Sequence, residues 1–268
     1  MTELDFKKYK RFFTFGCSFT HHIYPTWANI LANEMPDAEF YNFGRSGAGN
    51  LYISAKISEA NNSLKFTKDD LVMVMWSSFS REDRWINGLW KTQGNVYNND
   101  YYDEDFCRKY VDPIGYIIRD LALISLTKGY LDSLGIDYRF MMSYDINFLE
   151  FKSGLFFKND NHSKMIDIIN KNYEDIIKSI PVCLSKYIVH EGISYILENG
   201  EQRTDTHPTP LIYYNFLKDH EFPLTEKSER YVSNCMEKIS KCPSRELLLK
   251  AFDHEVHQVT KNNHKFII

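Results

Sequence analysis

The chain has 268 residues, of which 43% are hydrophobic and 25% are charged, as is usual for a globular protein. Its formal net charge of −4 is too small to indicate a nucleic-acid or membrane-surface partner. The five cysteines are scattered and include no Cys-x-x-Cys pair, which argues against a zinc site and a disulfide framework. We therefore expect a reducing compartment.

The N-terminal segment mixes acidic residues with lysines and has no apolar stretch, so it does not resemble a secretory signal. The longest continuous apolar run, residues 71–76, is far too short to cross a bilayer. These patterns predict a soluble, cytoplasmic protein. Packaging into a virus particle stays open.

The first half of the chain alternates between strand and helix signals. An apolar run at 12–15 predicts a buried strand that ends at Gly16. A second strand is predicted at 40–43, followed by a glycine-rich turn at 44–49 and a helix from residue 50. Between the two strands, apolar residues at helical spacing predict a helix: Trp27, Ile30, Leu31 and Met35.

The next strand signal is the strongest in the chain, because the run at 71–76 is apolar throughout and suits a strand buried on both faces. Asp112 and Pro113 predict the start of a long helix, and Gly135 predicts its end. A strand is predicted at 136–142. This alternation predicts an α/β fold, a three-layer α/β/α sandwich with a central parallel sheet of the flavodoxin-like kind.

Three segments break this alternation, and we interpret them as additions to a single domain spanning residues 1–268. Residues 82–111 are polar and rich in tyrosine and asparagine, which predicts an inserted loop or lid. Residues 146–200 predict a helical insertion, with a helix near 162–180. Residues 226–268 predict a helical C-terminal extension that could cover the sheet or mediate assembly.

Four segments carry side chains suited to chemistry. The first, 16–20, follows the first predicted strand and contains Ser18. A serine at the carboxyl end of a central parallel strand stands at the sheet edge, near the amides of the next helix, where a nucleophile belongs. The alternative is a turn in which Ser18 only caps the following helix.

The second and third segments follow the next two strands. In the second, 42–47, a glycine lets a backbone N–H approach a ligand oxygen, and the spacing of its glycines does not fit a dinucleotide-binding motif. In the third, 76–81, hydroxyl groups and Arg81 could donate to an oxyanion or a substrate. A tight turn and a solvated loop are the respective structural alternatives.

The fourth segment is Asp205-Thr206-His207-Pro208. Residues i and i+2 of an extended segment point to the same side, so Asp205 and His207 can face one site together. A carboxylate beside an imidazole fixes its tautomer and stabilises the imidazolium that forms during proton transfer. Such a pair needs a nucleophile, and Ser18 is the obvious one.

In this order, and each after its expected strand, the four segments resemble the SGNH/GDSL hydrolase family. Gly16-Cys17-Ser18-Phe19-Thr20 is similar to its first block, with Ser18 at the nucleophile position. Residues 42–47 are similar to its second block, and Asp205 and His207 to its last block. The resemblance implies an oxyanion hole made by the N–H groups of Ser18 and Gly47. This variant of the blocks is similar to those of bacterial and phage members.

Two departures from the family pattern stand out. The third block usually supplies an asparagine that donates to the oxyanion, whereas this chain continues as Ser77-Ser78-Phe79-Ser80, so we assign Ser78 to that place provisionally. The acid and the base are separated by one residue here, while two is commoner in the family. Loss of one oxyanion donor typically costs ~100- to 1000-fold in rate.

The sequence thus predicts a serine esterase that needs no metal and no organic cofactor. The resemblance implies acyl esters, acetyl esters above all, often on carbohydrate. Arg45, Trp76 and Arg81 are our candidates for substrate contacts, and the aromatic-rich stretch from Trp85 to Tyr102 could stack on sugar rings. No nucleic-acid or membrane partner is expected, and the oligomeric state is left open.

Two other hypotheses stay open. A glycan-binding or structural protein on the same fold would explain the missing third-block asparagine, since fold alone does not establish activity. Cys17 could act as nucleophile in place of Ser18. His21 and His22 form a pair with no acidic residue at ligand spacing, so we expect a surface or supporting role for them rather than a metal site.

Overall fold

The computed structural model describes residues 4–97, 101–144, 160–188 and 192–257. Its central sheet has four strands in the order β2-β1-β3-β6, and every neighbouring pair is parallel. The described chain has eight strands: β1 (Arg11–Phe15), β2 (Glu39–Asn42), β3 (Asp70–Trp76), β4 (Arg81–Ile86), β5 (Leu89–Asn95), β6 (Asp137–Met142), β7 (Ile193–Ile196) and β8 (Gln202–Asp205).

Nine α-helices are described, together with two short 3-10 helices, Phe6–Lys8 before β1 and Ser185–Tyr187 before β7. The helices are α1 (Trp27–Glu34), α2 (Asn50–Leu64), α3 (Glu104–Tyr110), α4 (Pro113–Leu134), α5 (Asp160–Asn172), α6 (Glu174–Lys178), α7 (Pro210–Asp219), α8 (Glu226–Ser240) and α9 (Arg245–His257). Among the described helices, none combines the length and the apolar character that a bilayer crossing requires.

The helices cover both faces of the sheet. The crossover through α1 leads from β1 to β2 on one side, while the crossovers through α2 and α4 lead in the opposite direction across the sheet. Right-handed connections therefore place α1 on one face and α2 and α4 on the other. Contacts agree with this, since α1 packs with α7 and α8, and α2 packs with α4. The predicted α/β architecture is confirmed.

Local sequence explains where the elements begin and end. All seven residues of β3 are buried, as expected of a strand covered on both faces. The Asp112 carboxylate accepts a hydrogen bond from the N–H of Ile114, Pro113 occupies the first turn of α4, and Gly135 ends the helix with a left-handed φ of 62°. These capping predictions are confirmed.

The segments that break the alternation contain regular structure. Residues 82–111 include most of β4, then β5 and α3; β4 and β5 form an antiparallel hairpin. Residues 145–159 and 189–191 lie outside the described residues, so the predicted insertion at 146–200 is described only in part, through α5, α6 and β7. Its residues 182–184 extend the main sheet through a parallel bridge between Met142 and Cys183.

The C-terminal segment packs on the domain as far as it is described, up to residue 257. Helix α8 packs on α1 and α7. A second hydrophobic cluster ties α8 and α9 to the strand β7 and to Tyr24; it consists of Tyr24, Tyr195, Cys235, Ile239, Leu248 and Phe252. The N–H of Ile196 in β7 also donates to the carbonyl of Pro243, just before α9.

Candidate active site

Ser18 lies in a tight turn directly after β1, at the carboxyl edge of the main sheet. The turn closes through hydrogen bonds from the N–H groups of Thr20 and His21 to the Cys17 carbonyl, at 2.9 and 3.2 Å. Gly16 is required at its start, because a Cβ there would lie 2.1 Å from Thr20 Oγ1 and 2.9 Å from the Met75 carbonyl oxygen. The turn is thus packed against the end of β3.

Asn42, at the end of β2, anchors the same turn. Its Nδ2 donates to the Thr20 carbonyl at 2.9 Å, and its Oδ1 accepts from the N–H of Gly44 at 2.9 Å. Thr26 Oγ1 donates to the same Thr20 carbonyl at 2.8 Å. The first and second blocks are therefore joined by buried hydrogen bonds that fix the position of Ser18.

The acid and the base come from a separate two-stranded sheet formed by β7 and β8. Asp205 ends β8, and His207 follows two residues later. His207 Nε2 lies 2.8 Å from Ser18 Oγ, and His207 Nδ1 lies 2.5 Å from Asp205 Oδ1. The structure thus brings together the serine, histidine and aspartate that the sequence placed in one site.

The hydrogen bonds define where the protons lie. An ionised carboxylate only accepts, so the proton of neutral His207 is on Nδ1, and Nε2 is free to accept from the Ser18 hydroxyl. Burial opposes ionisation of Asp205, but hydrogen bonds from the side chains of His207 and His22 outweigh it and hold the pKa of the carboxyl well below its usual range. Asp205 therefore stays charged and keeps His207 in the tautomer that a general base needs.

His22 is a second imidazole on the same carboxylate. Its Nε2 donates to Asp205 Oδ2 at 2.8 Å, and its ring stacks on the His207 ring with centroids 4.1 Å apart. Burial lowers the pKa of His22, so it is neutral at pH 7, and a neutral ring does not repel the His207 imidazolium. Sequence analysis assigned His22 a surface or supporting role, and the structure places it directly against Asp205 and His207.

The same three side chains have the composition of a metal site. One ligand atom each from His22, Asp205 and His207 lies within 4.8 Å of the others. No acidic residue stands at ligand spacing beside His22 in the sequence, and the acidic partner in the structure, Asp205, lies 183 positions further along the chain. Both imidazoles are already hydrogen-bonded to the carboxylate, which is the arrangement of a proton-transfer site.

Gly47, in the second block, is enclosed by the β4–β5 hairpin. It has a φ of +74°, and a Cβ at this position would lie 2.2 Å from the carbonyl oxygen of Thr92. Its own carbonyl accepts from the N–H of Gly94 at 3.1 Å. Within the described parts of the chain, the N–H groups of Ser18 and Gly47 donate no hydrogen bond, so both are available to a ligand oxygen.

The third block is held by α2. The N–H of Ser77 donates to Asn50 Oδ1 at 2.7 Å, and Asn50 Nδ2 donates back to the Ser77 carbonyl and to Asp120. Ser78 Oγ lies 2.8 Å from Ser80 Oγ. These contacts give Ser78 a partner within its own loop, and its predicted place in the oxyanion hole stays a prediction.

The predicted substrate contacts need revision. Trp76 is fully buried, with its ring packed edge-on against Phe140, so it belongs to the core and is not accessible to a substrate. The guanidinium of Arg45 donates to the Trp90 carbonyl at 3.0 Å, and that of Arg81 donates to the Ala48 carbonyl at 2.9 Å. Both arginines therefore hold the hairpin against the second block.

An aromatic pair that reaches His207 through Phe19 was not among the sequence candidates. The Phe19 ring packs edge-on against the His207 ring at 5.4 Å, and it also contacts Tyr144 at 5.9 Å. Tyr144 follows β6 and is exposed, so it forms an outer wall of the site. The position of Tyr144 just after a parallel strand was the signal available in the sequence.

Cys17, the alternative nucleophile, is fully buried in the main hydrophobic core. The neighbouring Ser18 retains 5% of its surface and makes the hydrogen bond to His207. A thiol enclosed by core side chains cannot meet an ester in solution, so the geometry favours Ser18 as the nucleophile.

No family model matches the chain, and a search of curated proteins finds no significant match. The fold is similar to that of a GDSL-like lipase from Bacteroides thetaiotaomicron, at 16% identity and a TM-score of 0.32 over 84% of this chain and 88% of that one. It is also similar to LAE5, an α/β hydrolase from the metagenome of Lake Arreo, at 12% identity and a TM-score of 0.32 over 94% and 97%. Because these values are low, function is argued from the geometry alone.

Proposed function

We propose that the protein is a serine hydrolase of carboxylic esters, with Ser18, His207 and Asp205 as its catalytic residues. The observation that carries the proposal is the continuous chain of hydrogen bonds from Ser18 Oγ through His207 to Asp205. A histidine whose Nε2 accepts from a serine, while its Nδ1 donates to a buried carboxylate, is arranged to take the serine proton.

The reaction has two halves. His207 Nε2 takes the proton of Ser18 while Ser18 Oγ bonds to the ester carbonyl carbon, and the carbonyl electrons move to its oxygen. The N–H groups of Ser18 and Gly47 donate to this oxyanion. His207 then gives its proton to the departing alcohol, and water repeats the sequence on the acyl-enzyme to release the acid.

Asp205 and His22 support the base. The Asp205 carboxylate stabilises the imidazolium that His207 becomes, and the hydrogen bond from His22 holds the second carboxylate oxygen. His207 becomes an imidazolium in each half of the reaction. Because His22 holds the carboxylate that stabilises this imidazolium, it is a positioning residue that acts through Asp205.

Acyl esters on carbohydrate are the proposed substrate class. Trp85 and Tyr101 are exposed at 47% and 49%, as rings that stack on sugars must be. Trp90 packs edge-on against Tyr52, and Tyr102 is buried, so these two rings support the segment instead. The aromatic-rich stretch is therefore divided between support and surface.

The third block favours a second candidate, a glycan-binding protein on the same fold with little or no turnover. Ser78 Oγ has Ser80 as a partner at 2.8 Å, and no asparagine stands at this place to serve as a third donor. The oxyanion then accepts hydrogen bonds from two backbone N–H groups only. We expect slow hydrolysis compared with an enzyme that has three donors.

The test is hydrolysis of p-nitrophenyl acetate together with labelling by a fluorophosphonate probe. Ser18→Ala should lose at least ~1000-fold in kcat/KM and all labelling, because the nucleophile is gone. Cys17→Ala is the matched control from the adjacent position, and it should keep labelling if circular dichroism confirms that it folds. Labelling that persists in Ser18→Ala would contradict the proposal. Wild type that neither labels nor hydrolyses esters would favour the glycan-binding protein.

A further inference from the structure

A cavity of about 300 Å³ lies on the β8 side of His207. Five separate parts of the chain contribute to it: His22 and Ile23 after the nucleophile turn, Ser46 in the second block, Tyr195 in β7, residues 203–207, and Arg245 at the start of α9. Because His207 is in its wall, a molecule held in this cavity lies next to the histidine whose Nε2 contacts Ser18.

Two arginines line the cavity. Arg203 lies on β8 two residues before Asp205, and alternate residues of a strand face the same side, so Arg203 and Asp205 point toward one space. Arg245 reaches it from α9, and its positive charge adds to the effect of burial in lowering the pKa of His22. Both arginines are exposed.

These arginines differ from the other cations near the site in having no partner. Within the residues that the structure describes, neither Arg203 nor Arg245 forms an ion pair or a side-chain hydrogen bond. Asp205, the carboxylate in the cavity wall, is already occupied by His22 and His207, and Arg245 also borders a second depression that Glu198 and Glu246 line. Two unpaired guanidinium groups facing a cavity offer planar donors to an oxyanion group such as a carboxylate.

We propose that Arg203 and Arg245 form a subsite for a negatively charged group of the substrate, so that the preferred ester carries a carboxylate or a similar anionic oxygen group. This inference rests on the proposed esterase function and adds a substrate class to it. The anion sits beside His207 on the β8 side, in the cavity that Ser46 also lines.

Matched pairs of esters test the subsite. One pair places the charge on the acyl part: p-nitrophenyl hydrogen succinate against its methyl ester. The other places it on the alcohol part: 4-acetoxybenzoate against phenyl acetate. Wild type should have the higher kcat/KM for the charged member of at least one pair, and the pair that shows the preference identifies which part of the substrate enters the cavity.

The variants Arg203→Gln and Arg245→Gln should each lower this charged-to-neutral ratio about two- to fivefold, with a larger loss in the double variant. The control is Arg230→Gln. Arg230 is another exposed arginine, on α8, and it lines a different surface depression. Added salt should reduce the ratio in wild type, because exposed charges are screened. A ratio that is unchanged in the double variant would overturn the proposal.

A binding measurement separates this proposal from the esterase proposal. In Ser18→Ala, which cannot form an acyl-enzyme, calorimetric titration with monomethyl succinate should give tighter binding than dimethyl succinate, and the double arginine variant should remove the difference. If wild type hydrolyses neither ester pair but this difference is found, the anion subsite stands and the esterase proposal fails. Equal binding of the two succinates would exclude the subsite regardless of turnover.

Discussion

The two sides of the candidate site use charged residues in different ways. On the hairpin side, Arg45 and Arg81 donate to backbone carbonyls and join β4–β5 to the second block. On the β8 side, Arg203 and Arg245 have no partner among the described residues and face a cavity. The first pair is held in place by the chain itself, whereas the second pair has no such partner among the described residues.

This difference shows that proximity to a site does not give an arginine a role in binding. A guanidinium that already donates to a carbonyl is held in place by that bond, while its other N–H groups remain able to donate. We therefore infer that the hairpin side supports the segment that contains Gly47. The β8 side carries Asp205 and His207, and also the two arginines that we propose bind the substrate. The predictions below test this division.

The largest effect is expected at Asp205. In Asp205→Asn, the amide oxygen can accept from His22 or from His207 but not from both, so the amide N–H₂ can face His207 Nδ1 and move the imidazole proton to Nε2. We expect kcat to fall about 10,000-fold, measured with p-nitrophenyl acetate. In the double variant Asp205→Asn/His22→Phe, the amide is free to turn its oxygen toward His207, so part of the lost kcat should be recovered. A loss below tenfold in Asp205→Asn would contradict a role of the carboxylate in catalysis.

On the hairpin side, Gly47→Ala tests the oxyanion donor. The added methyl group must displace the Thr92 carbonyl, which lies 2.2 Å from its position, and it keeps a φ of +74°. We expect kcat to fall about 100-fold, because the N–H moves away from the oxyanion. Gly88→Ala is the matched control, since Gly88 has a φ of +78° but nothing within 4 Å of an added Cβ. Equal activity in the two variants would show that Gly47 does not position a donor.

Acid should weaken the fold through Asp205. Its pKa is lower in the folded protein than the ~3.9 of a free aspartate, so the unfolded chain binds the proton first as the pH falls. The stabilisation is complete above the unfolded pKa and is lost as the pH falls through the folded pKa. At pH 7, the free energy of unfolding measured in urea should be about 1–3 kcal/mol lower for Asp205→Asn than for wild type. This deficit should narrow below about pH 4, whereas the exposed Asp105→Asn should differ little from wild type at any pH.

A smaller effect on kcat than at Asp205 or Gly47 is expected at His22. His22→Phe keeps a ring against His207 but removes the donor to Asp205 Oδ2, while His22→Gln keeps a donor and removes the stacked ring. We expect kcat to fall about tenfold in the Phe variant with little change in KM, and less in the Gln variant. A change in KM alone would instead place His22 in substrate binding.

Much of the fold could be predicted from the sequence because its strands are short apolar runs and its long helix has clear caps. The hairpin was missed, although Asn87-Gly88 is a strong hairpin signal and both residues have positive φ in the structure. Its strands are polar and mostly half-buried, so no hydrophobic alternation marked them.

The site could be predicted where its residues follow strands or share a short motif, as Ser18, Asp205 and His207 do. His22, Arg203 and Arg245 could not be assigned, because their roles depend on contacts between segments that are far apart in sequence. His22 and Asp205 are 183 positions apart, and no local pattern encodes that contact. Trp76 was misassigned to substrate binding. It is the last residue of β3, and this end of the strand is as buried as the rest.

The second hydrophobic cluster links the order of synthesis to the completion of the site. Ser18 and Gly47 belong to the first 50 residues of the chain, whereas the sheet that carries Asp205 is tied to α9 through Tyr195, Leu248 and Phe252. Strand β7 also depends on the carbonyl of Pro243. A nascent chain therefore gains the packed β7–β8 sheet, and with it the histidine that contacts Ser18, only after α9 has left the ribosome.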